Sequence, residues 1–303
     1  DLKIDLQPIA FTFAGNPFSL KANVENLDDI KYEVQSEGRI DLGKLYQTFG
    51  VDGYELDGYL ITDINLKGLQ SDATKGRLQQ LENRGTIEME KIRIRSDLFP
   101  LPFDIHSGKI RVDKDKLFLE KLHAQYAGNN LIADGYLFNL IAYYVDENAP
   151  VKGNLTLSSQ KLNLNDFMFY SEDDAVEVDT LGSVQGVVMI PPNVDFSLVA
   201  SVDTVIFDQV RLEKFNGKIG MKNGSLLMEN TGFNLVGSEF EMTGNYVPLN
   251  PFNATFDYHI RAKGFDIKRA YDEIPLFQEM VSAAEYAQGI ASLDYKLSGR
   301  LDA

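Results

Sequence analysis

The strongest constraint on this chain is a two-residue alternation of apolar and polar side chains that returns in one segment after another. From Glu239 to Tyr246 every second residue is apolar or glycine, and the residues between them are polar. A period of two is typical of β-strands that bury one face of a sheet and expose the other. Similar alternation occurs at 20–24, 30–34, 60–66, 110–112, 155–157, 196–202 and 256–260. The pattern therefore predicts an all-β protein.

The apolar residues of the alternation occupy odd positions up to Met89 and even positions from Ile92 onward, so the parity of the pattern changes between these two residues. One extra residue near Glu90 and Lys91 would keep the apolar side chains on both sides of that point on the same sheet face. A residue inserted into one strand of a pair forms a β-bulge. We therefore predict a bulge or a tight corner there.

A gapless internal repeat relates two parts of the chain at one constant offset, the offset that places Gly108 on Gly217. With this alignment, 7 of the 30 positions from Gly108 to Leu137 are identical, whereas chance gives roughly two at ordinary residue frequencies. The repeated unit reads as strand, hairpin, strand, glycine turn, strand, with an Asn-Gly hairpin signal at 223–224 in the second copy. Repeats of this kind predict modules that share an apolar face. We expect two β modules, 1–148 and 149–303.

Three short segments have apolar residues at helical spacing. One lies near 42–49 in the first module, and two lie near 164–170 and 266–288 in the second. Asp266 is the predicted N-cap of the last segment, and Pro275 predicts a kink within it. Three short helices are too few to cover a long sheet. The expected fold is all-β with a few short helices, an elongated antiparallel sheet of repeated strand modules that is curled into an open groove or folded into a sandwich.

Charge and composition exclude several functional classes. The chain has 29 basic and 45 acidic residues, a net charge of −16, and no cysteine. Nucleic acid is not an expected ligand, because phosphate binding requires a basic face. Disulfides, thiolate zinc sites and cysteine nucleophiles are excluded. No apolar run is long enough to cross a membrane, and strand alternation begins at the first residues, so we expect the sequence to be part of a longer protein.

Residues that carry chemistry are present but are not organised into a catalytic constellation. The three histidines, His106, His123 and His259, lie on separate predicted strands, and no Gly-x-Ser-x-Gly motif occurs. Acidic residues cluster at 171–179, but their spacing matches no calcium loop. We predict no catalytic residue, no metal site and no cofactor. A carbohydrate-active enzyme that uses a carboxylate pair is an alternative.

The apolar sheet face is the remaining candidate site. If the sheet stays open, strand parity and the repeat predict which side chains line its groove; if it closes as a sandwich, the same residues form a core. Methionine recurs in the second copy, and its flexible side chain adapts to varied ligand shapes. The predicted lining residues are Ile110, Val112, Leu117, Leu119, Leu131 and Ala133 in the first copy and Ile219, Met221, Leu226, Met228, Phe240 and Met242 in the second.

Several stretches share strand motifs rather than a polar signature. The motifs are Phe103-Asp-Ile, Gly108-Lys-Ile-Arg-Val, Leu117-Phe-Leu-Glu-Lys-Leu, Tyr126-Ala-Gly, Asp134-Gly-Tyr-Leu, Phe207-Asp-Gln-Val-Arg-Leu, Gly217-Lys-Ile, Gly224-Ser-Leu-Leu-Met-Glu-Asn, Gly244-Asn-Tyr, Ile274-Pro-Leu and Ala287-Gln-Gly-Ile-Ala-Ser-Leu-Asp-Tyr-Lys-Leu-Ser-Gly-Arg-Leu. These stretches resemble the C-terminal repeats of the AsmA family, whose members are relatives of TamB. The resemblance covers most of residues 30–303.

The resemblance implies an envelope protein of Gram-negative bacteria that is held in the inner membrane by an N-terminal helix outside these residues and projects into the periplasm. Members of the family are implicated in outer-membrane assembly and in moving phospholipid between membranes, without catalytic residues. We therefore expect a non-catalytic module that contacts phospholipid or another acyl lipid through an apolar β groove. The alternative is a structural scaffold that docks an envelope protein partner by strand addition, without binding lipid.

Overall fold

The structure is a computed structural model. It describes residues 3–13, 15–26, 28–49, 54–96, 99–146, 149–167, 187–274, 277–278 and 281–302. The chain divides into two compact units, Asp1–Leu155 and Thr156–Ala303, and the predicted all-β antiparallel fold with a few short helices is confirmed. Within the described ranges, no helix has the length and apolar character needed to cross a bilayer.

The first unit is built from consecutive antiparallel strands, each of which pairs with the next along the chain. This order needs only local connections. A ninth strand, β9 (Val151–Asn163), begins in this unit and ends in the second. The others are β1 (Lys3–Phe13), β2 (Asn16–Glu25), β3 (Lys31–Asp41), β4 (Tyr54–Leu69), β5 (Arg84–Ser96), β6 (Phe99–Asp113), β7 (Lys116–Tyr126) and β8 (Asn129–Phe138).

The second unit follows the same antiparallel plan. Its strands are β10 (Val194–Phe207), β11 (Val210–Lys222), β12 (Ser225–Leu235), β13 (Ser238–Asn250), β14 (Asn253–Asp266) and β15 (Ile290–Asp302). The turn between β11 and β12 is at Asn223 and Gly224, which have φ angles of 51° and 71°. Both angles lie in the left-handed region that such two-residue turns require, so the predicted Asn-Gly hairpin is confirmed.

The predicted bulge in β5 is confirmed. Lys91 has a φ of 50°, and the pairing of β4 with β5 shifts register between Asp57 and Tyr59. Gly58 fills the gap on the opposing strand: a β-carbon built there would lie 2.3 Å from the carbonyl oxygen of Lys91. The bulge therefore changes side-chain parity in β5 and also requires glycine in β4.

The sequence repeat is also a structural repeat. β7 and β12 begin and end at positions related by the same offset that places Gly108 on Gly217. Each contains a residue with positive φ at the matching position, Lys121 at 48° and Asn230 at 50°. The register shifts around those residues are equivalent as well, between Leu119 and Leu122 in one copy and between Met228 and Thr231 in the other.

Short helices follow strands in both units. α1 (Leu42–Phe49) forms where it was predicted, a 3₁₀ turn occupies Leu164–Phe167, and α4 (Ile267–Glu273) is followed by a 3₁₀ turn at Ser282–Tyr286. The Asp266 carboxylate accepts a hydrogen bond from the Arg269 backbone N–H at 3.0 Å, so the predicted N-cap of α4 is confirmed. Pro275 and the acidic segment 171–179 lie outside the described residues.

Two helices of the first unit were not predicted. α2 (Gln70–Thr74) and α3 (Leu140–Val145) contact each other. Asp115, in the turn between β6 and β7, is buried and accepts a hydrogen bond from the Asn139 backbone N–H at 2.8 Å, where α3 begins. Burial of this carboxyl raises its pKa above the ordinary value. The hairpin therefore also positions the start of α3.

The buried clusters of the described residues show what covers the apolar sheet face. In the first unit, Leu42 of α1 packs on Met89 and Ile92 of β5. In the second unit, α4 and the residues after it pack on β12 to β14, and the segment that contains Val187 packs on β13 and β14. Each cluster joins neighbouring strands of one sheet to one short segment. Within each unit the described strands thus form a single sheet rather than two packed sheets.

Candidate functional site

Strand pairing places the predicted first-copy residues of β6 and β7 on one sheet face. Ile110 pairs with Leu119, and Val112 pairs with Leu117. Directly opposed residues of antiparallel strands project from the same side of a sheet. These four side chains therefore form an apolar block two residues deep across two strands.

The bulge at Lys121 brings the remaining two residues of the first copy to that face. Leu122 pairs with Ala133, and Ala124 pairs with Leu131. Without the extra residue, the even-numbered positions of β7 after the bulge would face the polar side. The six predicted residues of the first unit consequently share one face. Leu122 and Ala124 also lie on it, but they were missing from the prediction because the parity change in β7 was not recognised.

The second copy repeats this arrangement. Ile219 pairs with Met228, and Met221 pairs with Leu226. Beyond the bulge at Asn230, Phe240 pairs with Phe233, and Met242 pairs with Thr231. The six predicted residues of this unit also lie on one face.

Most of the twelve predicted residues are half-buried. Val112 is 7% exposed and Phe240 is 5% exposed, and the other ten are partly accessible. Side chains fixed in a closed core are usually almost completely buried. Each unit thus presents apolar side chains that the chain itself covers only in part.

Cover is uneven along the face. Phe240 and Met242 belong to the cluster beneath α4, and Leu226 and Met228 pack against the segment that contains Val187 and Met189. In the first unit Ile110 belongs to the cluster beneath α1. The short segments therefore pack against five of the twelve predicted residues, and the other seven are not part of these clusters.

Two phenols lie on this face in the second unit, Tyr246, which is buried, and Tyr258, which is half-buried. Burial raises the pKa of Tyr246 to about 12, against a smaller opposing effect of a hydrogen bond with the backbone of Val188. Burial also raises the pKa of Tyr258 above its ordinary value, and the Tyr258 ring stacks on Phe256 with centroids 5.3 Å apart. The environment at this end of the face is thus strongly apolar.

The opposite face is lined by ion pairs. Lys109 Nζ lies 3.0 Å from Glu88 Oε1. At the matching position of the repeat, Lys218 Nζ lies 2.8 Å from Glu229 Oε2. The hydrogen bond with the Arg93 guanidinium lowers the pKa of the Asp104 carboxyl. Exposed pairs of this type contribute little to stability. Their main effect is to make this face polar.

In the part of the chain that the structure describes, groups suited to catalysis or metal binding are not gathered on the apolar face. His259 contacts Asp294 at 2.7 Å on the exposed side of the second unit. Among the described residues, no group of three histidine, aspartate or glutamate side chains has metal-binding geometry. A cleft of about 650 Å³ lies beside the β7 bulge and is lined by both acidic and basic side chains, but by none of the twelve predicted residues.

Comparison with known proteins gives no further identification. No family model, curated protein or solved structure matches this chain.

Proposed function

We propose that this chain is a non-catalytic module that contacts an acyl lipid, such as a phospholipid, through the apolar sheet face of each unit. The observation that carries the proposal is the partial exposure of ten of the twelve predicted residues, all on one side of their sheet. Soluble proteins rarely leave extended apolar surface in water unless it meets a ligand or partner.

The energetic argument concerns the lipid chain. Each methylene removed from water contributes about 0.8 kcal/mol, so a 16-carbon chain crossing an aqueous space is disfavoured by on the order of 12 kcal/mol. A continuous row of apolar side chains lowers this cost without strong polar contacts that would trap the lipid. Half-buried Leu, Ile and Met residues supply such a row in both units.

The resemblance to the AsmA family supports the cellular setting of the proposal. In that setting the chain lies in the periplasm of a Gram-negative bacterium, is tethered to the inner membrane by a helix outside these residues, and serves outer-membrane assembly or phospholipid transport. The net charge of −16 keeps such a module soluble while it handles an apolar ligand.

Neighbouring residues on opposite faces of the same sheet provide a matched test of lipid contact. Leu131→Asp and Met221→Asp place a carboxylate on the apolar face. Ile132→Asp and Leu227→Asp place it on the polar face, where the native side chains are 39% and 43% exposed. The purified protein, all 303 residues of it, is extracted with organic solvent, and the lipid per protein is measured by mass spectrometry.

We expect the two apolar-face variants to lose bound lipid and the two polar-face variants to retain it. Circular dichroism confirms that all four remain folded. If the wild type carries no lipid and binds none from phospholipid vesicles, the proposal is wrong. Equal lipid content in all four variants would also contradict it.

The scaffold alternative draws on a different observation. β15 carries exposed apolar side chains, with Ile290 at 68% and Tyr295 at 44% exposure. Such a strand suits pairing with an extended partner segment. A photo-crosslinking residue at Tyr295 would give a discrete adduct with one envelope protein in cells, whereas the same residue at Asp257 would not. Adducts at both positions, or at neither, would count against this alternative.

A further inference from the structure

The polar face of the first unit carries an unusual group of side chains on β6 to β9. Three aromatic residues, two cations and one amide form this group, which we call the aromatic-basic patch. It lies on the side of the sheet opposite to the proposed lipid-contacting face. Its members are Arg111, Lys116, Phe118, Tyr136, Phe138 and Asn154.

The rings and the cations of the patch are in direct contact. The guanidinium carbon of Arg111 lies 4.0 Å from the centre of the Phe118 ring, and the ammonium of Lys116 lies 5.0 Å from that of Tyr136. The Tyr136 centroid is 6.0 Å from Phe118 and 6.1 Å from Phe138. These contacts place three rings next to one another on the sheet, with one cation over the Phe118 ring and one over the Tyr136 ring.

An amide at the side of the rings adds a directional hydrogen-bonding group. The Asn154 side chain is exposed and donates a hydrogen bond from Nδ2 to the Tyr136 hydroxyl at 2.7 Å. Its carbonyl oxygen is an acceptor, and the Tyr136 hydroxyl retains its own proton for donation. The patch thus presents a donor and an acceptor next to apolar ring surfaces.

The repeat shows that the fold does not require these side chains. The matching positions of the second copy, which has the same strands and the same bulge, hold neither a cation nor an aromatic ring. Strand pairing at those positions is nevertheless intact. At the offset of the repeat, Arg111, Lys116, Phe118, Tyr136 and Phe138 correspond to Gly220, Ser225, Leu227, Asn245 and Val247.

The patch is locally basic in an acidic protein. In the strand register, Arg84 lies opposite Asp113, and Asp113 lies opposite Lys116. Lys152 lies two residues before Asn154 in the same strand and therefore shares its face. Counting Arg84, Arg111, Lys116 and Lys152 against Asp113, Glu120 and Asp134 gives 4 − 3 = +1, whereas the whole chain carries −16. Arg111 Nε lies 3.3 Å from Glu120 Oε1, so one patch cation already has a carboxylate partner. Cations interleaved with carboxylates favour a ligand with spaced negative charges and disfavour a dense polyanion.

We propose that the aromatic-basic patch binds an acidic carbohydrate, a glycan whose sugar rings carry carboxylates. The apolar C–H face of a sugar ring stacks on Tyr136 and Phe138. Arg111 and Lys116 pair with its carboxylates, and Asn154 exchanges hydrogen bonds with its hydroxyls. Because the rings already position the cations, little side-chain freedom is lost on binding.

The test uses the 303-residue chain and isothermal titration calorimetry with tetragalacturonate, with maltotetraose as the uncharged probe. Two substitutions copy the second repeat, Phe118→Leu and Tyr136→Asn, and a third, Arg111→Gln, removes one cation. Lys218→Gln is the control, because Lys218 is an exposed cation on the corresponding face of the second unit without an aromatic neighbour in this pattern.

The wild type is expected to bind tetragalacturonate more tightly than maltotetraose, and each patch variant is expected to lose about tenfold in affinity or more. Lys218→Gln should bind like the wild type. Absence of tetragalacturonate binding would overturn the proposal, and so would equal losses in Lys218→Gln and the patch variants. Tighter binding of an oligodeoxynucleotide of equal charge would assign the patch to nucleic acid instead. Thermal unfolding verifies that each variant is folded.

Discussion

Lys121 and Asn230 occupy matching places in the two copies of the repeat and share a left-handed backbone, with φ angles of 48° and 50°. Each is the extra residue in its strand. In β7 the apolar side chains occupy odd positions before the bulge and even positions after it, and in β12 the order is reversed. The extra residue in each strand therefore keeps these side chains on one face of the sheet. The apolar face that β7 and β12 present thus depends on one backbone irregularity in each strand as well as on the apolar residues themselves.

The two bulge residues differ in how well they tolerate this conformation. Asparagine adopts left-handed φ values readily, whereas lysine does so at greater cost. Lys121→Gly is therefore expected to stabilise the protein by about 0.5 to 1 kcal/mol, and Asn230→Gly is expected to have a smaller effect. Chemical unfolding measures both. Lys296→Gly, in a regularly paired part of β15, should destabilise; stabilisation by Lys296→Gly would contradict the backbone argument.

Among the glycines that lie opposite a bulge, Gly58 is predicted to tolerate substitution by alanine least. It has a φ of 101°, and an added β-carbon would lie 2.3 Å from the Lys91 carbonyl oxygen. Gly58→Ala should therefore cost about 3 kcal/mol or more, because the β4–β5 pairing must shift. The control is Gly220→Ala, where the nearest atom is 3.6 Å away; it should change the free energy of unfolding little. Equal losses in the two variants would refute the steric explanation.

The N-cap of α4 makes a measurable contribution to the second unit. Asp266→Ala removes the acceptor for the Arg269 N–H and should cost about 0.5 to 2 kcal/mol in unfolding free energy. Asp266→Asn retains an oxygen at that place and should recover most of the loss. Because α4 packs on Phe240, the alanine variant should also increase hydrogen exchange in α4. No change in either measurement would argue against the cap.

Stability should fall in alkaline solution because of the buried Tyr246 phenol. The pKa of Tyr246 is raised to about 12 from an ordinary value of 10.0. Between these values the unfolded state has lost the phenol proton while the folded state keeps it, so stability is full below pH 10 and declines as the pH rises toward 12. Tyr246→Phe should make the loss between pH 8 and 11 smaller. Tyr286→Phe, at an exposed position, should leave the slope unchanged.

Much of the fold followed from local sequence patterns. The two-residue alternation, the internal repeat, the hairpin at Asn223 and the cap at Asp266 each reflect short-range physical preferences, and the structure contains all four. The face that carries the candidate site followed from the same parity. The bulge at Lys121 left a similar signal, a parity change between Leu119 and Leu122, which was not recognised.

The parts that could not be predicted depend on contacts distant in sequence. α2 and α3 are too short to be stable by helical propensity and form where they contact each other and where Asp115 holds the start of α3. The position of Val187 above Tyr246 likewise depends on tertiary packing. Covering segments of this kind determine which of the predicted residues remain accessible to solvent. Strand parity contains no information about where such segments lie.

The constant offset between the bulges has an evolutionary consequence. A duplication of the whole module copies the parity change together with the strands, so the new copy again gathers its apolar side chains on one face of its own strands. Such a gene can lengthen by whole modules, each of which inherits an intact apolar face. Meanwhile each copy's wet side is free to diverge, as the replacement of three rings by Leu, Asn and Val illustrates.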